Sequence, residues 1–173
     1  MSAGKISLNF IFEDNKITSG DLKIEDVSAK INNIAESFKK VSITALFQNN
    51  ELEITDSSVF WKNTSVNAKG KIKNKFESPE FNIRMNMNLQ NFSEFRDFLP
   101  ESVKDVTGDG LMNILVKTEN SEIVTSGHLN IRQTKLAALD AQNVNVIFKY
   151  DFAALKLLNI EGDPKKKIRI NNK

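Results

Sequence analysis

Apolar side chains recur at every second residue along most of this chain, and that period decides what it can fold into. The run EFNIRMNMNL, residues 80–89, is the clearest case. Phe81, Ile83, Met85, Met87 and Leu89 fall on one parity, and Asn82, Arg84, Asn86 and Asn88 on the other. Successive side chains of a strand point to opposite faces, so this run has one wholly apolar and one wholly polar face. Wound as a helix, the same residues would scatter around its whole surface.

The pattern repeats in KISLNFIF (Ile6, Leu8, Phe10, Phe12), GDLKI (Leu22, Ile24), VSAKI (Val27, Ala29, Ile31) and VSITALF (Val41, Ile43, Ala45, Phe47). It continues through ELEI, SVNAKGKI, the run with Met112, Ile114 and Val116, the run with Ile123, Leu129 and Ile131, NVNVIFKY and LKL. Short polar strings such as EDNK, QNN and KTENS separate the runs and read as turns. About a dozen strands joined by short turns make an antiparallel meander, with one apolar face per sheet. The fold class is therefore all-β: a curled antiparallel meander sheet with one or two short helices. Two segments break the period. Residues 32–40 read as a polar connection or a single helical turn. Residues 91–99 read as a two-turn helix, with Asn91 as cap, Glu94 completing an approximate capping box, Phe92, Phe95 and Leu99 on one face and Pro100 as the stop. That aromatic face is expected to pack over an open end of the sheet.

The chain also repeats itself. TSGDLKI (18–24) returns as TSGHLNI (125–131), VSITALF aligns with VNVIFKY, and LEI (52–54) with LKL (155–157). Alternating strands precede both copies. The chain reads as a single segment over 1–163 that holds two related multi-strand units, at about 5–60 and 108–162, each packing on its neighbour. Gly20, Gly127 and Gly70 are expected at bulges or sharp bends. Residues 164–173 form a basic tail or open a further strand, and both ends look cut from a longer protein.

Composition excludes several functions. Net charge over the 173 residues is +2, with the excess of base in the last ten, so no basic face marks a nucleic-acid module. There is no cysteine and one histidine, His128, on a polar parity beside Leu129. Nothing in the sequence supports a nucleophile triad built on it, a zinc site would need more His or Cys ligands than the chain has, and no catalytic residue is assigned. Gly70-Lys71 lacks the rest of a phosphate loop, and TGDGL (107–111) reads as a turn rather than a calcium loop. Met85 and Met87 sit among Phe81, Ile83 and Leu89, which makes them apolar lining rather than copper ligands. The sequons at Asn63 and Asn91 matter only in a eukaryotic secretory setting. No cofactor or metal is expected. What remains is the apolar face, and the pattern leaves two readings open: the sealed core of a sandwich or barrel, or the lining of an open groove for acyl chains.

The order of patterns resembles the AsmA/TamB family of Gram-negative envelope proteins, the AsmA-like or repeating β-groove proteins. The residues that carry the resemblance are LEITDSSVFWKNTSVNAKGKI (52–72), PEFNIRMNMNLQN (79–91) followed by FRDFLP (95–100), and VTGDGLMNILVK leading into SGHLNI and VNVIFKY. The resemblance implies a curled sheet whose groove shields phospholipid acyl chains between inner and outer membrane and supports outer-membrane assembly and integrity. It implies no catalytic residues and no nucleic acid. It also implies a periplasmic setting, a tether to the inner membrane through a segment outside this chain, and membrane proteins as partners at either end of the full-length protein. The candidate lining is Phe10 and Phe12; Leu22 and Ile24; Val41, Ile43 and Phe47; Phe81, Ile83, Met85, Met87 and Leu89; Ile114 and Val116; Leu129 and Ile131; and Val144, Val146 and Phe148. The competing reading is a structural or adhesive β-repeat with a closed core and protein partners. An enzyme with an acyl pocket would need polar groups on the apolar parity, and there are almost none.

Overall fold

The computed structural model describes residues 4–14, 16–30, 36–73, 79–98, 107–136, 139–150 and 155–164. Ten strands form one antiparallel sheet: β1 Lys5–Glu13, β2 Lys16–Ala29, β3 Phe38–Gln48, β4 Glu51–Trp61, β5 Thr64–Lys73, β6 Glu80–Leu89, β7 Thr107–Glu119, β8 Glu122–Leu136, β9 Leu139–Tyr150 and β10 Leu155–Pro164. Their order in the sheet is their order in the chain. β1 and β10 are the two edges, so the sheet does not close into a barrel. A 3₁₀ helix, Phe92–Phe98, lies on the way from β6 to β7.

The turns follow from their residues. Asn49 and Asn50 have φ of 51° and 62°, and Asn120 and Ser121 have 51° and 66°. Two residues with positive φ between paired strand ends give the type I′ hairpin turn, which matches the right-handed twist of the strands. Asparagine tolerates that left-handed conformation better than most residues.

Several sequence expectations change in the structure. The eleven runs become ten strands because GDLKI and the start of VSAKI join in β2, which ends at Ala29; Ile31 lies outside the described residues. β3 begins at Phe38, inside the expected connection 32–40. Thr107–Leu111, expected as a turn, is the start of β7. Leu99, Pro100 and residues 165–173 lie outside the described residues.

β2 and β3 hold together as one strand each because a bulge corrects the parity. Ile24 pairs with Ile43 and Val27 with Val41, which leaves Asp26 as the extra residue, at φ 51°. Similar single-residue insertions occur at Thr18 against β1, at Lys40 against β4 and at Thr55 against β3. A bulge adds one residue to one strand, bends it and raises its twist. Here each one also returns the next apolar residue to the face it would otherwise have left.

The two glycines of the repeated heptapeptide have a different role from the bend expected of them. Gly20 pairs with Phe10 and Phe47, and a Cβ on it would lie 2.3 Å from Cδ1 of Phe10. Gly127 pairs with Phe148, and a Cβ there would lie 2.2 Å from Cζ of that ring. Each glycine leaves the space a phenylalanine ring fills. Gly127 sits in a regular stretch of ladder, whereas Gly70 stands opposite the bulge at Thr55, with φ 151°.

These two kinds of glycine should respond differently to substitution. Gly70→Ala brings a Cβ within 2.2 Å of the Asn82 backbone oxygen. We expect a loss of about 1–3 kcal/mol in urea unfolding. Gly127→Ala meets only the tip of a ring that can turn, so its loss should be smaller and should shrink further in a Phe148→Ala background. Equal losses at both positions would contradict this account.

Candidate functional site: an apolar face, closed at one end and open at the other

Paired residues on neighbouring strands share a face, so the registers carry the apolar rows across the sheet. One row runs Leu8, Leu22, Ala45, Ile54, Gly70, Ile83, Val116. The next runs Phe10, Gly20, Phe47, Leu52, Ile72, Phe81. A third passes through Ala68, Met85, Ile114, Gly127 and Phe148, and a fourth through Val66, Met87, Met112, Leu129 and Val146. All nineteen residues proposed from the sequence as lining fall on this one face.

The face is closed near the β6–β7 connection. Leu89, Phe92 and Ile131 are buried there, with Met87, Phe95, Met112, Leu129 and Val144 packed against them. Leu89 and Ile131 therefore belong to a sealed cluster under the helix rather than to any open lining. Phe95 packs against Trp61 at a tilt of 56°, with 4.9 Å between ring centroids. The helix covers this end of the sheet, as its aromatic face suggested.

The helix is held by its cap and by a clasp. The Ser93 backbone N–H donates to Asn91 Oδ1 at 3.0 Å, so Asn91 is the N-cap. Glu94 does not turn back to complete a capping box. Its carboxylate accepts from Asn63 Nδ2 at 2.6 Å and from the Thr64 hydroxyl at 3.3 Å, and Lys62 Nζ donates to its backbone oxygen at 3.0 Å. All three donors belong to the β4–β5 turn or its edge. Both sequon asparagines, Asn63 and Asn91, are thus engaged in placing the helix.

Among the described residues nothing covers the face at the other end. Ile6, Leu8 and Phe12 are 60%, 59% and 65% exposed. A hollow of about 360 Å³ is lined by Leu8, Phe10, Ile17, Leu22, Ala45, Phe47, Leu52 and Ile72, with Asp21 at its margin. β1 and β5 would stand about 19 Å apart on a flat sheet. Both line one small hollow, so the sheet curls here with its apolar face inward. Phe10, Leu22 and Phe47 were expected in the lining. Leu8, Ala45, Leu52 and Ile72 were not proposed, although the parity of their runs contains them; Ile17 lies in none of the runs and reaches the face through the bulge at Thr18.

The opposite face is mainly polar and solvated, with Ile11, Leu46, Phe60, Leu111 and Ile147 standing singly exposed on it. Lys71 bonds Glu51 at 2.6 Å and lies near Glu53, which raises its pKa. Glu119 is held below its ordinary value first by Lys117 and then by Lys149, and Glu25 by Lys23. Asp109 pairs with Arg132. His128 is exposed on this face, opposite Asn113 and Ile147. Among the described residues no cluster of His, Cys, Asp or Glu could hold a metal ion. Among the described residues Asp21 is the one charged or polar side chain that lines the apolar hollow.

No family model, curated protein or solved structure matches the chain.

Two outcomes follow from this geometry. Glu94→Ala should free the helix from the turn and cost about 1.5–3 kcal/mol, the range for hydrogen bonds to a charged group. Solvent quenching of Trp61 fluorescence should rise in the folded variant; an unchanged Trp61 would mean that the clasp does not hold the helix. The carboxylates of Glu25 and Glu119 have lowered pKa values in the folded chain. Their contribution is present above the unfolded carboxyl pKa and is lost as pH falls through the folded one. Glu119→Gln should therefore flatten part of the acid limb of stability and leave the neutral-to-alkaline limb unchanged in slope.

Proposed function

We propose that this chain is a segment of a lipid-shielding groove, in which the curled apolar face accepts phospholipid acyl chains and leaves the head groups in water. The observation that supports the reading most is the exposed apolar hollow between β1 and β5. Contiguous exposed apolar surface on a folded domain marks a binding surface of some kind. Burying each CH₂ is worth about 0.8 kcal/mol, so a chain of about fifteen carbons gains on the order of 10 kcal/mol before entropic costs. That is ample for retention without a single specific polar contact, and it suits a lining that offers almost none.

The chemistry proposed is passive. No bond is made or broken; lipids are held by area and slide along the rows. The resemblance to AsmA/TamB-like proteins supports the same reading, with transport between inner and outer membrane, a periplasmic site and membrane-protein partners at either end. A closed-core adhesive repeat is the competing reading. It is disfavoured by a ten-stranded sheet that does not close and by the exposure of Leu8, Ile6 and Phe12 on the apolar side.

The test uses two substitutions of comparable exposure on opposite faces. Leu8 is 59% exposed beside the hollow, and Leu46 is 47% exposed on the polar face. Both should leave the fold intact, because exposed positions tolerate change. The chain is purified from bacterial membranes and examined by native mass spectrometry with lipid extraction. Leu46→Glu should carry bound phospholipid as the unaltered chain does, and Leu8→Glu should lose it. A lipid-free unaltered chain that also refuses added phospholipid would overturn the proposal, and so would equal lipid content in both variants.

A further inference from the structure

The free edge of β1 has a counterpart inside the same sheet, and the counterpart is occupied. β1, β2 and β3 correspond to β7, β8 and β9 in register. The row Phe10, Gly20, Phe47 matches Ile114, Gly127, Phe148. Leu8, Leu22, Ala45 match Met112, Leu129, Val146. On the polar side Asn9 takes the place of Asn113.

In the second unit the far side of β7 is covered by β6. The two pair antiparallel from Asn82↔Lys117 to Leu89↔Gly110 without a register shift. β1 is the same strand without that neighbour: among the described residues only β2 pairs with it. The difference shows in exposure. Leu8 and Phe12 are exposed, whereas their counterparts Met112 and Val116 are half-buried. Between its charged ends β1 carries few of the devices that protect an edge, the bulge at Thr18 in the neighbouring strand apart. It has no proline, and between Lys5 and Glu13 at its ends five of its seven residues are Ile, Leu or Phe. An edge of this kind readily accepts another strand.

We propose that the β1 edge is the docking site for an antiparallel strand patterned like β6, supplied by another polypeptide segment. Such a strand carries long apolar side chains on one face and asparagine or arginine on the other. The register follows from the β6–β7 ladder. The residue equivalent to Met87 stands opposite Leu8, that equivalent to Met85 opposite Phe10, and that equivalent to Ile83 opposite Phe12. The equivalent of Asn86 then meets Asn9, as Asn86 itself meets Asn113. Main-chain hydrogen bonds supply the binding, and the alternation fixes which face turns inward. This edge would pair in the same way whatever fills the hollow, so the inference stands apart from the lipid reading.

The chain has no cysteine, which makes a cross-linking test clean. The full chain with Leu8→Cys is mixed under mild oxidation with a peptide of sequence Glu80–Leu89 that carries Met87→Cys. Directly opposed residues have their Cβ atoms about 4.5–5.5 Å apart, near enough for a disulfide with slight adjustment. The expected result is a chain–peptide disulfide with Met87→Cys that is lost with Asn86→Cys, whose thiol points to the other face. Equal yields from the two peptides, or no adduct with either, would overturn the proposal. A dominant chain–chain disulfide would also overturn it and would point to β1 pairing with a second β1. Lipid retention is measured on the chain without peptide, so the two proposals fail separately.

Discussion

Side-chain alternation across hydrogen-bonded strands is the constraint on which everything else here depends. One residue out of step sends every later apolar side chain to the wrong face. Strands as long as β2 and β8, with 14 and 15 residues, give the chain many chances to slip. The bulges at Thr18, Asp26, Lys40 and Thr55 prevent that outcome. Each absorbs one residue and restores the apolar row. Each also bends its strand, so the device that keeps the face apolar contributes to its curl.

A curled sheet with one apolar face must cover that face or leave it wet. This chain does one at each end. Near β6 and β7 the 3₁₀ helix lays Phe92 and Phe95 over Leu89, Met87 and Ile131, and Glu94 fastens it to the β4–β5 turn. Between β1 and β5 no such cover is found among the described residues, and an apolar hollow opens there. The clasp is polar and directional, whereas the hollow is apolar and lacks geometry. The first fixes one shape; the second offers apolar area without directional contacts.

Much of this was legible in the sequence, for a physical reason. Parity is a local property, so the meander, the single apolar face and its nineteen proposed residues could be read from the spacing alone. The bulges were legible in principle too: the apolar parity changes between Ile24 and Val27 and again between Ile54 and Val59, and each change marks an inserted residue. What the sequence hid was pairing between distant residues. Glu94 looked like part of a capping box because its spacing from Asn91 suits one, but its carboxylate is taken by Asn63 and Thr64, about thirty positions away. The repeat aligned by letters sets Phe47 against Tyr150, whereas the pairing of Gly20 with Phe47 and Gly127 with Phe148 moves the match by two residues. Which part of the apolar face is covered depends on where the helix lands, and no alternation records that.

The central claim is that acyl chains occupy the open part of this face and no other surface. Methyl NMR of the folded chain with an added fatty acid spin-labelled near its terminal carbon tests it most directly. The account predicts that the methyl signals of Leu8, Ile17, Leu22, Leu52 and Ile72 broaden, while those of Leu46, Leu111 and Ile147 on the polar face stay sharp. Uniform broadening over both faces, or none around the hollow, would contradict it.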